Sequence, residues 1–362
     1  MGMRRTIGMT GRVLCVLGLL AGCGDDGSGR DTTLPVDSGP RPGVDAFVPP
    51  GVDGGPRPDA FVPGVDLGAV DGGDVDPGAP NGMGPFTVSE STASVTDADL
   101  VAFVPAVPAG ERVPLVLYKH GFMLATSNYS TGLRQLASHG FVVVGVDTES
   151  GDLFGGPAAT NLEEQAATIA ALDWATSSAP FAGSVDASLV GVAGHSRGGK
   201  VATQVAAAES RIGATLLLDP VNGCGPSTPY STNCPDVTSA AIAGSIATPI
   251  GVMGETNNTT GFMACAPTDQ NYQTIYTALS SLPSWKVQWT FTGADHSDFT
   301  DDGGGFAGGF CPDGPGDDEQ IRRAWRAMMV AFFRLHLKDE AAMGAWLTGS
   351  SLPGGITVDG GP

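Results

Sequence analysis

The chain has 362 residues, and its 38 Asp and Glu against 18 Lys and Arg give a net charge of −20. That excess of negative charge argues against nucleic acid or an anionic membrane face as a ligand. No stretch after Ala21 approaches the roughly 18 consecutive apolar residues of a membrane-spanning helix.

In chain order, the first feature is a leader. Arg4, Arg5 and Arg12 form a positive start, and Val13 to Ala21 is an apolar run too short to span a bilayer. The run ends in Leu20-Ala21-Gly22-Cys23, an order that resembles a bacterial lipoprotein signal. The resemblance implies removal of residues 1–22 and lipid on Cys23. It also implies a domain held outside the cytoplasm at the cell envelope, at the outer membrane of a Gram-negative bacterium, touching membrane only through that lipid. Residues 23–83 follow, rich in Gly, Pro and Asp, with Pro-Arg-Pro at 40–42 and 56–58 and Asp-Ala-Phe-Val-Pro at 45–49 and 59–63. This composition buries too little apolar area to offset chain entropy, so it reads as a disordered tether. Residues 84–362 are left for one folded domain.

From Phe86 the pattern alternates. Strands are predicted at Phe86–Glu90, Leu100–Val104, Pro114–Tyr118 and Phe141–Val146, with a helix over Asn128–Ser138. A helix over Asn161–Thr176, a strand Leu189–Ala193 and an Ala-rich helix Gly198–Ala208 come next. Strands Ala214–Leu218, Pro249–Met253 and Val287–Phe291, and helices Asn271–Leu279 and Ile321–Leu337, complete the series. Continuous apolar strands separated by helices predict an α/β domain, a mostly parallel central sheet with helices on both faces. Cys224, Cys234, Cys265 and Cys311 remain after the leader; an even number outside the cytoplasm predicts two disulfides. Of three pairings, Cys224–Cys234 with Cys265–Cys311 is favoured. Metal binding is the rival, but no Cys-x2-Cys pair or nearby His supports it, and no metal or cofactor is expected.

The chemistry centres on Gly194-His195-Ser196-Arg197-Gly198, placed between a strand and a helix. A sharp strand-to-helix turn lifts the central hydroxyl clear of the sheet edge, and the glycines leave room for it. The same stretch is nearly a phosphate loop, Gly194 to Lys200, but Val201 stands where a Mg²⁺-binding Ser or Thr belongs. A serine needs a base, and the base an orienting carboxylate. Of five His, His296 follows the last strand, where the order Ser, acid, His puts the base. Asp219, closing an apolar strand, is the favoured acid; Glu255, with nearby Asn257, is the alternative. The backbone N–H groups of Phe122 and Arg197 are the expected oxyanion donors. Phe122, Met123 and Leu124 would wall an apolar pocket suited to lipophilic esters. Asp298, Asp301 and Asp302 flank His296 and read as a solvated loop, with cation binding the alternative.

These residues resemble one family. His120-Gly121-Phe122, Ala137-Ser138-His139-Gly140-Phe141, Gly194 to Lys200, Leu218-Asp219-Pro220-Val221, Cys265-Ala266-Pro267 and His296-Ser297-Asp298-Phe299 look like chlorophyllases, over about residues 112 to 335. The resemblance implies an α/β-hydrolase fold and a triad of Ser196, Asp219 and His296. Asn222 departs from it, standing where that family usually has a second Asp. Platelet-activating-factor acetylhydrolases are more distantly similar. Polyester hydrolases of the cutinase type place the acid one strand later, which keeps Glu255 open. The expected function is a serine carboxylic-ester hydrolase working through an acyl-enzyme on a small-molecule or lipid ester. A non-catalytic surface binding protein on the same scaffold, and a phospholipase or polyester hydrolase on the same machinery, are the alternatives.

Overall fold

The computed structural model describes residues 78–149, 151, 158–225, 228–257, 259–260, 264–279 and 282–361. The expected signal, Cys23 and the repeats of the expected tether lie outside the described residues. Two residues that composition assigns to the tether are bound to the domain: Gln135 donates to the Pro80 carbonyl at 2.7 Å, and His139 Nε2 lies 3.0 Å from the Gly82 carbonyl. No helix among the described residues is long and apolar enough to cross a membrane.

Two strands open the fold as a hairpin, β1 (Val88–Val95) and β2 (Ala98–Pro105), turning at Asp97 with φ 61°. The apolar runs then supply β3 (Val113–Lys119), β4 (Val142–Asp147), β5 (Val185–His195), β6 (Ile212–Leu218), β7 (Ile250–Glu255) and β8 (Lys286–Phe291), with β9 (Ile356–Gly360) near the C-terminus. The nine strands form one sheet in the order β1-β2-β4-β3-β5-β6-β7-β8-β9. Pairings from β4 through β8 are parallel; β2 on β4 and β9 on β8 are antiparallel. The structure has the expected α/β-hydrolase architecture.

Helices α1 (Ser130–Ser138), α2 (Asn161–Ser177), α3 (Arg197–Ala208) and α4 (Tyr272–Ala278) join successive parallel strands. A single turn, α5 (Gly305–Gly308), precedes the long α6 (Asp318–Leu337), and α7 (Gly344–Leu347) leads to β9. Strand alternation divides the apolar residues between two cores. Val116 and Tyr118 of β3 face a cluster with Leu133 of α1 and Trp325 and Phe332 of α6. Leu115 and Leu117 face the other way, onto Leu172 of α2, Val205 of α3 and Ile275 of α4. With both faces covered, the strands read as continuous apolar runs rather than as alternating ones.

Several elements differ from the sequence expectation: β5 begins at Val185, four residues early, and the short α5 and α7 were not anticipated. The first strand begins at Val88 and runs to Val95, because pairing along all of β2 fixes its length. Strand β9 was not anticipated: most of its residues are exposed, so no buried stripe marks it. Both disulfides form with the favoured pairing, Cys224–Cys234 and Cys265–Cys311.

Candidate active site

Sheet register brings the site together. Lys119 pairs with Gly194, and His195 with Leu218, so the chain leaves β3, β5 and β6 side by side at one edge. The strand order turns back between β4-β3 and β5, the crevice where open α/β sheets bind ligands. Ser196 is the first residue after β5 and caps α3 with φ 55° and ψ −123°. A non-glycine residue held there costs on the order of 1–3 kcal/mol. Its neighbours sustain the turn: the Ser196 N–H donates to the Leu218 carbonyl at 3.0 Å, and its own carbonyl accepts from Val221 at 3.1 Å. A Cβ on Gly198 would come 2.6 Å from the Lys119 carbonyl carbon, so only glycine lets the helix start press against the end of β3.

The expected partners converge on that hydroxyl. His296 Nε2 lies 2.8 Å from Ser196 Oγ, and His296 Nδ1 lies 2.5 Å from Asp219 Oδ2. A carboxylate only accepts, so Nδ1 carries the hydrogen and Nε2 accepts from the serine hydroxyl. Asp219 is fully buried with φ 40°, and its N–H donates to the Met253 carbonyl at 2.9 Å. Burial pushes its carboxyl up, while the His296 hydrogen bond and the Glu255 backbone N–H oppose the rise. Glu255 is also buried, but its carboxylate accepts from the Asn257 N–H, and Asn257 Nδ2 donates to the Ala294 carbonyl at 2.5 Å. The geometry therefore brings Asp219, and not Glu255, to His296.

The acidic run around His296 is a set of caps rather than a solvated loop. Asp295 accepts from Ser297 and Gly314 N–H groups, each at 2.8 Å, and Asp298 accepts from the Asp295 N–H at 3.0 Å. Trp325 Nε1 donates to the Asp298 carbonyl at 2.8 Å. Asp298 is 2 % exposed, and burial pushes its carboxyl up to about 7. Asp301 caps α1 through the Thr131 N–H at 2.5 Å and pairs with Arg326 at 2.8 Å; Asp302 takes Asn128 Nδ2 at 3.2 Å. Among the described residues no group of three His, Cys, Asp or Glu is arranged to hold a metal ion.

The loop after β3 lies against the serine: a Cβ on Gly121 would sit 3.3 Å from Ser196 Cβ. Its N–H donates to the Tyr129 hydroxyl at 3.1 Å, and His120 Nδ1 lies 2.8 Å from its carbonyl. Among the described residues, neither the Phe122 nor the Arg197 N–H donates to a backbone carbonyl. Both remain available to a developing oxyanion. The Phe122 side chain is 41 % exposed, with Met123 and Leu124 half-buried beside it. Lys200 donates to the Gly223 carbonyl at 3.2 Å and lies 3.0 Å from Cys234 Sγ, under the disulfide loop.

Sequence reasoning missed Glu164. This buried carboxylate accepts from Arg197 Nε at 2.8 Å and Asn161 Nδ2 at 2.9 Å, and lies 3.5 Å from Lys119 Nζ. It ties the start of α3 to the end of β3, the two stretches beside the free N–H groups. Lys119 is buried with it, and desolvation lowers its pKa to about 8 despite the carboxylate. The one sequence signal was a Glu in the first turn of α2, on the face that continues through Ala167, Ala171, Leu172 and Ala175. Of the remaining His, His139 bonds the Gly82 carbonyl at 3.0 Å, and His336 packs on Trp285 and Phe332.

A serine hydroxyl held by an imidazole, itself held by a buried carboxylate, has a ready path for its proton and a partner for the resulting imidazolium. A protein-family model described as Chlorophyllase matches residues 82–348. Chlorophyllase-1, chloroplastic, of Citrus sinensis is 28 % identical over 245 residues, covering 63 % of this chain and 70 % of its own length. Chlorophyllase-2 of Arabidopsis thaliana is 28 % identical over 252 residues, covering 63 % and 74 %. Chlorophyllase-1 of Arabidopsis thaliana is 27 % identical over 251 residues, with the same coverage of 63 % and 74 %.

Proposed function

The chain belongs to the chlorophyllase family of ester-bond hydrolases, and from that premise we propose that it is a serine carboxylic-ester hydrolase acting through an acyl-enzyme on lipophilic esters. The observation that carries the reading is the continuous contact from Ser196 Oγ to His296 at 2.8 Å and on to buried Asp219 at 2.5 Å. His296 takes the serine proton as Oγ attacks the ester carbonyl carbon. The oxyanion forms against the Phe122 and Arg197 N–H groups, where the α3 N-terminus adds its positive dipole end. Collapse breaks the bond to the alcohol, which leaves with the proton from His296. Water, deprotonated by the same nitrogen, then attacks the acyl-enzyme and releases the acid. Exposed Phe122, beside Met123 and Leu124, gives the substrate an apolar wall and favours lipophilic over charged esters.

The lipoprotein-like leader supports placing this activity at the cell envelope, tethered through Cys23. Short-chain nitrophenyl esters should be hydrolysed, and a fluorophosphonate should label Ser196. If Ser196→Ala hydrolyses these esters as fast as the parent protein, the reading is wrong. A folded protein that takes no label points instead to a binding role.

A further inference from the structure

The His195 side chain has no role in the proton path, yet it sits buried between the loop after β3 and the turn that carries His296. Its Nδ1 lies 2.8 Å from the Tyr129 hydroxyl, which accepts the Gly121 N–H at 3.1 Å. Its Nε2 lies 3.1 Å from the backbone carbonyl of His296. Its ring is 4.6 Å from the His296 ring and stacks at 6.3 Å on Phe299, the last residue of the turn that carries His296. Hydrogen placement follows from the partners. A carbonyl only accepts, so Nε2 must donate to His296. Burial pushes the His195 pKa well down, so the ring is neutral and Nδ1 is the free acceptor. The Tyr129 hydroxyl, already accepting from Gly121, therefore donates to Nδ1. Every donor and acceptor in this chain is used once and in one direction.

We propose that His195 is a positioning residue that locks the loop of the oxyanion donor, the nucleophile and the base into one register, through the chain Gly121 N–H to Tyr129 to His195 to the His296 carbonyl. The proposal rests on reading Ser196 as nucleophile and His296 as base. The residue adjoins Ser196 in sequence, reaches Gly121 through Tyr129, and holds His296 by its main chain and ring face. It leaves both nitrogens of the His296 ring to Ser196 and Asp219. Displacement of a reacting group by about 1 Å costs on the order of a hundredfold in rate. The effect belongs in kcat, because the chain holds the main chain of the donor loop and of the His296 turn and bonds to no side chain of the binding wall at Phe122 to Leu124.

The test uses His195→Asn, His195→Gln and Tyr129→Phe, each assayed well below its unfolding midpoint. Asn keeps a polar group near the Nδ1 position and loses the reach to His296; Gln reaches the Nε2 position and can still donate there. The readouts are kcat and KM on a soluble nitrophenyl ester and the second-order rate of fluorophosphonate reaction at Ser196. His195→Asn should lower kcat and the labelling rate by about 10- to 100-fold with KM within about twofold. His195→Gln should recover most of that loss, and Tyr129→Phe should lose about three- to tenfold in kcat. Folded His195→Asn with wild-type kcat overturns the proposal, as does His195→Gln no better than His195→Asn, or a loss carried by KM alone. Wild-type protein that takes up no fluorophosphonate overturns the nucleophile reading itself, an outcome separate from any behaviour of the variants.

Discussion

Replacing Asp219 by Asn isolates what the buried carboxylate contributes. The two side chains are nearly the same size, and Asp219 is completely enclosed, so packing is kept while the charge is removed. In the proposed mechanism His296 takes the serine proton and becomes an imidazolium, with Asp219 Oδ2 2.5 Å from Nδ1. With charge centres about 4 Å apart and an effective dielectric near 20, their attraction is about 4 kcal/mol. At about 1.36 kcal/mol per decade, this is roughly a thousandfold in rate. The amide also presents an N–H to Nδ1 and turns the imidazole to the tautomer whose Nε2 carries hydrogen and no longer accepts from Ser196. The combined expectation is a fall in kcat of about 10³- to 10⁴-fold on a nitrophenyl ester, with KM little changed. Burial already opposes the Asp219 charge, so the melting temperature should hold or rise. Glu255→Gln, measured beside it, should stay within about threefold of the parent kcat, since its amide oxygen still accepts from Asn257. If Glu255→Gln loses as much as Asp219→Asn, or if Asp219→Asn keeps more than a tenth of the parent kcat, the assignment of the acid is wrong.

Further measurements follow from other contacts. Glu164→Gln leaves buried Lys119 without its carboxylate and loosens Arg197; denaturant titration should show a loss of about 3 kcal/mol, and kcat should fall with it. Equal stability of variant and parent would contradict this. The raised carboxyl of Asp298, about 7 when folded, binds its proton more tightly in the native state, so its contribution favours folding at low pH and is lost as pH rises toward 7. Asp298→Asn should therefore melt above the parent at pH 8 and level with it near pH 4; a gap independent of pH would refute it. Loop entropy ranks the disulfides: Cys265–Cys311 closes 46 residues and Cys224–Cys234 closes 10, worth about 4 and about 3 kcal/mol. Paired Cys→Ser variants should unfold in that order of denaturant sensitivity.

Much of the architecture could be read from the chain because β3 to β7 are buried on both faces and leave long apolar runs. The Gly-rich turn at Ser196 was equally legible, since only glycine fits where α3 starts against β3. The choice between Asp219 and Glu255 was not. Both close apolar strands, and only the placement of β6 next to β5 brings Asp219 to His296. The acidic run after His296 looked like solvated surface; Asp302 is exposed, but Asp301 caps α1 and Asp298 is buried under Trp325, contacts made by elements distant in sequence. Tyr129 and His195 meet across 66 residues, and nothing in the spacing announces a hydrogen bond between a tyrosine in a short turn and a residue prized only for flanking a serine.

Strand direction also settles where the polypeptide enters and leaves. Val88 of β1 lies beside Pro105, and Gly360 of β9 lies beside Val287 near the start of β8, at the rim opposite the strand ends that carry Ser196. Residues 80–84 reach the sheet along the C-terminal end of α1, on that same rim. A carrier, bead or partner protein joined at either end of this domain thus meets its back. Immobilisation through those ends leaves the strand ends that carry Ser196 facing the medium.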